Sequence, residues 1–152
     1  MKKYSGILAT LILGSVFFTS CSKSSEIPAS ATNPATNDVT ANLGSGFWVI
    51  SSLTEHGEDK AGKFSGYRFE FLPSGVMKAS KNGVETQGTW QYTAAVTYYG
   101  SSSTAAIAIS LGNNSPFDIL TGKWNMVSST SSTLKVDSPE IAQAEHLVFT
   151  RQ

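Results

Sequence analysis

The chain has 152 residues with eleven basic and eleven acidic side chains, so its formal charge at pH 7 is zero. A nucleic-acid partner is therefore not expected, because phosphate binding requires a concentrated positive surface. The length suits a single domain with one modest hydrophobic core. Cys21 is the only cysteine, so no disulfide can form within the chain.

The first twenty residues have the pattern of an export signal. Two lysines precede an apolar run over residues 7–18, and two small residues then lead to Cys21. Such a segment is removed after export and is too short to span a bilayer. The arrangement resembles the lipobox of bacterial lipoproteins, with Phe18 where that motif usually has Leu. The resemblance implies a signal peptide over residues 1–20 and attachment of palmitate-type acyl chains to Cys21.

Two other interpretations of this segment stay open. It could be an ordinary secretory signal followed by an incidental cysteine, or an uncleaved membrane anchor. In the lipoprotein interpretation, the lipid bilayer is a partner of the protein through acylated Cys21, and several acyl chains make the attachment stable.

Residues 21–45 are rich in Ser, Thr, Ala, Asn and Pro, with Ile27, Val39 and Leu43 as the larger apolar side chains. Such a composition cannot bury enough apolar surface to order itself. We therefore predict that the lipidated cysteine is followed by a flexible tether, which would hold the domain on the order of 25 Å from the lipid.

Residues 46–152 are predicted to form a domain of β-strands. Aromatic Tyr67, Phe69 and Phe71 alternate with polar residues, which is the period of a strand with one buried face. Eight strands are expected near residues 47–54, 65–72, 76–81, 84–93, 104–111, 123–128, 133–138 and 144–151. Short turns, above all Asn82-Gly83, indicate an antiparallel meander. Closure into an all-β, eight-stranded barrel would leave no exposed edge.

One segment departs from the strand pattern. Ser115 precedes a proline, Asp118 follows three residues later, and Gly122 ends the segment. This order is typical of a capped helix start, so we predict one or two helical turns over residues 116–121, with Ser115 as the cap.

Each tryptophan follows a glycine by two positions. The pairs are Gly46 and Trp48, Gly88 and Trp90, and Gly122 and Trp124. Glycine permits close approach of another backbone or ring, and the indole fills the space beside it. The pattern favours a packing role for the three rings over direct contact with a ligand.

The domain resembles the lipocalin-like domains of Bacteroidetes lipoproteins. The resemblance rests on Gly46 and Trp48 at the first strand, the eight-strand meander and Arg151 on the last strand. It implies a barrel with Trp48 and Arg151 packed together at its closed end, and capture of a small apolar ligand. It implies no catalysis. The domain is shorter than a typical ligand-carrying lipocalin.

Two functions are compatible with these features, and we expect the first. In the first, inward-facing side chains line a pocket for a small hydrophobic ligand. The candidate lining residues are Tyr67, Phe69, Phe71, Trp90, Tyr92, Ile107, Ile109, Met126 and Phe149. In the second, the same residues fill the core of a structural or interaction lipoprotein, and adjacent Tyr98 and Tyr99 contact a protein partner whose identity the sequence does not give. An eight-stranded barrel is just wide enough to be filled by its own side chains.

No catalytic motif is evident. His56, Glu58 and Asp59 could bind a metal or transfer protons, but a charged hairpin loop is usually only solvated, and His146 is predicted on the polar side of the last strand. The sequence has no Gly-x-Ser-x-Gly elbow. We therefore expect neither an enzyme nor a cofactor or metal.

The expected location is the bacterial cell envelope, with a lipid anchor in the outer membrane. Residues 22–26 lack the acid-rich stretch of many surface-exported lipoproteins in the resembling group. This favours a periplasmic-facing position, although surface exposure stays open.

Overall fold

The structure is a computed structural model that describes residues 34–140, 142 and 144–152. The predicted signal peptide, Cys21 and the first part of the predicted tether lie outside the described residues. Among the described helices, none combines the length and the apolar character needed to cross a membrane.

Within the described residues, the regular structure comprises one α-helix and eleven strands. They are α1 (Pro34–Leu43), β1 (Trp48–Glu55), β2 (Glu58–Asp59), β3 (Arg68–Phe71), β4 (Val76–Lys81), β5 (Val84–Thr93), β6 (Thr97–Tyr98), β7 (Ser101–Ser102), β8 (Ala106–Ser110), β9 (Gly122–Ser129), β10 (Thr133–Asp137) and β11 (His146–Arg151). Two short 3-10 helices span Ala61–Phe64 and Phe117–Leu120.

Eight of the strands close into an antiparallel barrel in the order β1, β3, β4, β5, β8, β9, β10 and β11. Closure comes from β1 and β11, which pair from Trp48 opposite Arg151 to Thr54 opposite His146. Strand β2 pairs only with β1, and β6 and β7 form a separate two-stranded hairpin. The predicted all-β barrel of eight antiparallel strands is confirmed.

The short turns follow the sequence signals. Asn82 and Gly83 both have positive φ angles, 52° and 79°, as a type I′ turn between β4 and β5 requires. Between β3 and β4, the Gly75 N–H donates a hydrogen bond to the Leu72 carbonyl at 2.9 Å. These turns set neighbouring strands antiparallel with their inward faces in register.

The helical turn predicted for residues 116–121 is present as the 3-10 helix Phe117–Leu120, but the predicted cap is wrong. No side chain caps this helix, and Ser115 is not the capping residue. The Asn114 carbonyl accepts hydrogen bonds from the N–H groups of Phe117 (2.9 Å) and Asp118 (3.2 Å). A backbone carbonyl thus satisfies the donors that the serine hydroxyl was expected to bind.

The sequence predicted a flexible tether that includes residues 34–45, but most of this segment is helix α1. Leu43 is fully buried in the core, and Val39 packs against the same cluster. Four residues apart on a helix, these two side chains share one face. The segment lacks enough apolar surface to order alone, but the barrel end supplies the missing partner.

The two ends of the barrel differ in composition. The connections at residues 44–47, 72–75, 94–105 and 130–132 meet at one end, where the last turn of α1 packs; we call it the α1 end. The connections at residues 56–67, 82–83, 111–121 and 138–145 meet at the other, which we call the acidic end.

Candidate functional site

The candidate pocket residues all belong to the hydrophobic core or pack against it. Phe69, Phe71, Ile107, Ile109 and Phe149 are at most 2% exposed. Trp90 is also buried, whereas Tyr67, Tyr92 and Met126 are partly buried against the same cluster. The alternating pattern therefore identified the inward-facing residues correctly.

These rings contact one another across the barrel. The Phe149 ring lies edge-on to Phe69 and Phe71, with centroids 5.5 and 5.4 Å apart, and Phe71 meets Trp90 at 5.5 Å. Such T-shaped contacts are the preferred packing of aromatic side chains. Five clefts on the surface of the described residues are lined by side chains other than Phe69, Phe71 and Phe149. Among the candidate residues, Trp90 and Ile109 border one of these clefts and Tyr67 another. The space between the candidate residues is occupied by their own rings.

The three tryptophans have the packing role that the sequence favours. Each is buried, and each indole N–H donates to the backbone carbonyl of a residue outside the strands. The acceptors are the carbonyls of Leu43 for Trp48 (3.1 Å), Leu72 for Trp90 (2.8 Å) and Leu120 for Trp124 (3.0 Å). The indole groups thus tie α1, the β3–β4 turn and the 3-10 helix before β9 to the barrel.

Arg151 and Trp48 lie together at the α1 end, as the lipocalin resemblance implies. The guanidinium carbon lies 4.9 Å from the centroid of the Trp48 ring, and the guanidinium also donates to the Asn42 carbonyl at the end of α1. A cation over an indole face is a stabilising contact when it is shielded from water. Here it fixes the helix and both closing strands to one another.

A cleft of about 390 Å³ opens at the acidic end. Its lining includes four carboxylates and one cation. These charged side chains are Glu55, Asp118, Lys123, Glu140 and Glu145. The cleft is therefore polar and acidic, unlike the pocket expected from the sequence.

Two carboxylates and an imidazole converge beside this cleft. Donor atoms of Glu55, His56 and Glu145 all lie within 4.8 Å of one another. Burial raises the pKa of Glu145, and the neighbouring Glu55 raises it further. Carboxylate and imidazole groups are common ligands of divalent transition metals. Sequence reasoning missed Glu145, because only the β1–β11 pairing brings it beside His56.

The loop residues considered for chemistry from the sequence do not act together. The Glu58 carboxylate pairs with Lys60, which lowers the pKa of Glu58. Asp59 accepts a hydrogen bond from the Ala61 N–H at 2.9 Å. His146 lies on the exposed side of β11, where its Nδ1 is 2.7 Å from the Asp137 carboxylate. Of the four side chains considered, only His56 lies beside Glu55 and Glu145.

The exposed tyrosines lie at the α1 end. Tyr98 and Tyr99 are 73% and 91% exposed at the tip of the β6–β7 hairpin. Their rings meet edge-on with centroids 4.4 Å apart. The hairpin lies within the connection between β5 and β8, and its two strands pair with each other and not with a barrel strand. Both rings are therefore available to a partner.

No protein-family model and no curated protein matches the sequence. Among solved structures, the chain is similar to an uncharacterized protein from Bacteroides eggerthii DSM 20697, whose crystal structure was determined at 2.60 Å resolution. The two share 14% sequence identity with a TM-score of 0.42, over 72% of this chain and 99% of the other.

Proposed function

We propose that the protein is a non-catalytic lipoprotein of the bacterial cell envelope that acts through contacts of its outer surface. Cys21 would carry the acyl chains, and the barrel would be a filled body and not a carrier cup. The observation that supports this function is the packing of the candidate pocket residues against one another, with the five innermost at most 2% exposed.

Ring packing is the reason to prefer surface contacts over ligand transport. A site for a drug-sized apolar molecule needs about 300–1,000 Å³ of concave space. Inside this barrel, Phe71 has both Phe149 and Trp90 as edge-on neighbours. A ligand could enter only if several of these rings moved away. An eight-stranded barrel can be filled completely by its own side chains.

The hairpin tyrosines are the proposed contact residues. Tyrosine provides a large amphipathic contact area with only two side-chain torsions to fix, which suits it to recognition surfaces. Tyr98 and Tyr99 are both exposed, and no described residue outside the hairpin stacks on their rings. The barrel then serves as the rigid support of this surface.

The experiment is to measure the mass of the full chain after expression in a bacterial host and purification from its membranes. We expect a chain that begins at Cys21 and carries acyl groups, with no stoichiometric small molecule in a solvent extract. The Cys21→Ala variant should lack the acyl mass. An unmodified Cys21 would contradict the anchor, and a stoichiometric apolar compound would contradict the filled barrel.

A further inference from the structure

We propose that the α1 end of the barrel rests on the lipid bilayer and that the rings of Tyr98 and Tyr99 enter its interfacial region. This inference rests on the proposed acylation of Cys21 and names the partner of the tyrosine surface. Three observations support it: the distribution of exposed apolar side chains, the distribution of charge, and the point at which the chain leaves the barrel.

The exposed apolar side chains are concentrated at the α1 end. Six large hydrophobic residues of the described chain are exposed, and five of them lie at or beside this end. These five are Phe47, Val96, Tyr98, Tyr99 and Val127, with exposed fractions from 43% to 91%. The sixth, Val84, starts β5 beside the turn at the acidic end. An apolar surface confined to one end indicates an interaction site there.

The connections of the α1 end contain no charged residue. Residues 44–47, 72–75, 94–105 and 130–132 consist of Gly, Ser, Thr, Ala and Pro with a few apolar or aromatic side chains. Removing these loops from water desolvates no charge of their own. A charged neighbour of this surface is Arg68, whose guanidinium carbon lies 5.8 Å from the centroid of the Phe47 ring. The opposite end carries charges of both signs, with Lys60 and Lys63 in its connections and Glu55 and Glu145 at the acidic cleft, so placing it in lipid would require these charges to be desolvated.

The chain enters the barrel at the same end. Residues 22–33 separate Cys21 from α1, and a segment of that length spans at most about 45 Å when fully extended. The last turn of α1 is fixed to the barrel through Leu43 and through the Arg151 guanidinium on Asn42. An acyl group on Cys21 would therefore hold the α1 end at a high local concentration beside the bilayer.

The chemistry of tyrosine favours a bilayer over a protein at this surface. Tyrosine and tryptophan are enriched where hydrocarbon meets water, because the ring is apolar and the hydroxyl group stays hydrated. Next to Tyr98 and Tyr99, the hairpin has the uncharged hydroxyl group of Ser101 for lipid headgroups, and those of Thr97 and Ser102, which lie 3.2 Å apart and bond to each other. A protein partner at the same tyrosines is the competing outcome of the test.

The test places a fluorescent indole at each end of the full chain. The native tryptophans are buried, so a new exposed indole dominates quenching from water. Tyr98→Trp reports on the α1 end, and Val84→Trp is the matched control at the acidic end. Both proteins are reconstituted into phosphatidylcholine vesicles and titrated with aqueous acrylamide and with brominated lipid.

We expect the new indole of Tyr98→Trp to shift its emission to the blue, to be quenched by brominated lipid and to be protected several-fold from acrylamide relative to Val84→Trp. Equal access of acrylamide to both positions would overturn the inference. Protection at position 98 in native membranes, but not in pure lipid vesicles, would also overturn it and would indicate a protein partner. If the chain fails to sediment with vesicles at all, the proposed anchor itself is wrong.

Discussion

Gly88 is the described glycine with the least room for an added side chain. An added Cβ would lie 1.9 Å from the Ser110 carbonyl oxygen and 2.9 Å from the Leu111 Cα, and both are backbone atoms. Strand β5 or the end of β8 would have to move. We predict that Gly88→Ala lowers the free energy of unfolding by about 1–3 kcal/mol in urea denaturation.

Gly62→Ala is the matched control for this substitution. A Cβ at Gly62 would meet no atom within 4 Å, so this variant should unfold close to the wild type. Equal stability of Gly88→Ala and Gly62→Ala would contradict the close approach of the two strands.

Glu145 gives a prediction for the dependence of stability on pH. Burial and the neighbouring Glu55 raise its pKa above the ordinary 4.5, so the folded state holds this proton more tightly than the unfolded state does. The contribution of protonated Glu145 to stability is therefore greatest at a pH below its ordinary pKa, and it is lost as the pH rises through the raised pKa. Replacing Glu145 with Gln should stabilise the protein at neutral pH, by at most about 1 kcal/mol.

Thermal unfolding over a pH series measures this effect. The gain from Glu145→Gln should shrink as the pH falls through the raised pKa of Glu145 and should be absent below the ordinary pKa of 4.5, where both states are protonated. Glu58→Gln is the control, because its partner Lys60 lowers the pKa of Glu58 and the change should not stabilise the protein. A gain that is independent of pH would show that the carboxylate of Glu145 is not the cause.

Single residues were predictable from the sequence where the signal is local. The Gly-x-Trp spacing predicted buried rings, and Trp48, Trp90 and Trp124 are all buried. The carbonyls that accept their indole N–H groups follow no sequence pattern. The convergence of His56 and Glu145 depends on strand pairing between distant parts of the chain, so no local signal indicates it.

At the scale of elements, α1 is the main difference from the sequence prediction. Its composition predicts a flexible segment, because Val39 and Leu43 alone do not stabilise a free helix. The barrel provides the apolar contact and the hydrogen-bond donors of Trp48 and Arg151 at the helix end. The helix is thus a tertiary effect that propensity could not predict.

We predict that Leu43→Ala lowers the free energy of unfolding by about 2–5 kcal/mol, because it removes a fully buried side chain from the core. Val84→Ala, which truncates an aliphatic residue that is 71% exposed, serves as the control and should have little effect. Chemical denaturation of both variants checks the prediction. If Leu43→Ala is as stable as Val84→Ala, α1 does not contribute to the folded domain.

At the scale of the whole molecule, the eight barrel strands and their order could be predicted because period-two alternation and tight turns are local properties, whereas the two-residue strands β2, β6 and β7 were not predicted. Tyr67, Phe69 and Phe71 face inward as expected. Whether inward residues fill a core or line a pocket could not be predicted, since the same alternation serves both. The distances between the rings distinguish a filled core from a pocket. They depend on the geometry of the barrel and on Phe64 and Phe117, which join the cluster from the two 3-10 helices.

The most direct test of the filled interior is a benzene titration of a fragment of residues 34–152, which contains every residue of the core cluster. The methyl and aromatic NMR signals of the fragment are followed during the titration. We predict no saturable shift for the wild type, and a saturable shift for Phe69→Leu or Phe69→Ala, because removing a buried ring leaves an apolar cavity that accepts benzene. Saturable one-to-one binding by the wild type, weakened in Phe69→Leu, would contradict a filled barrel.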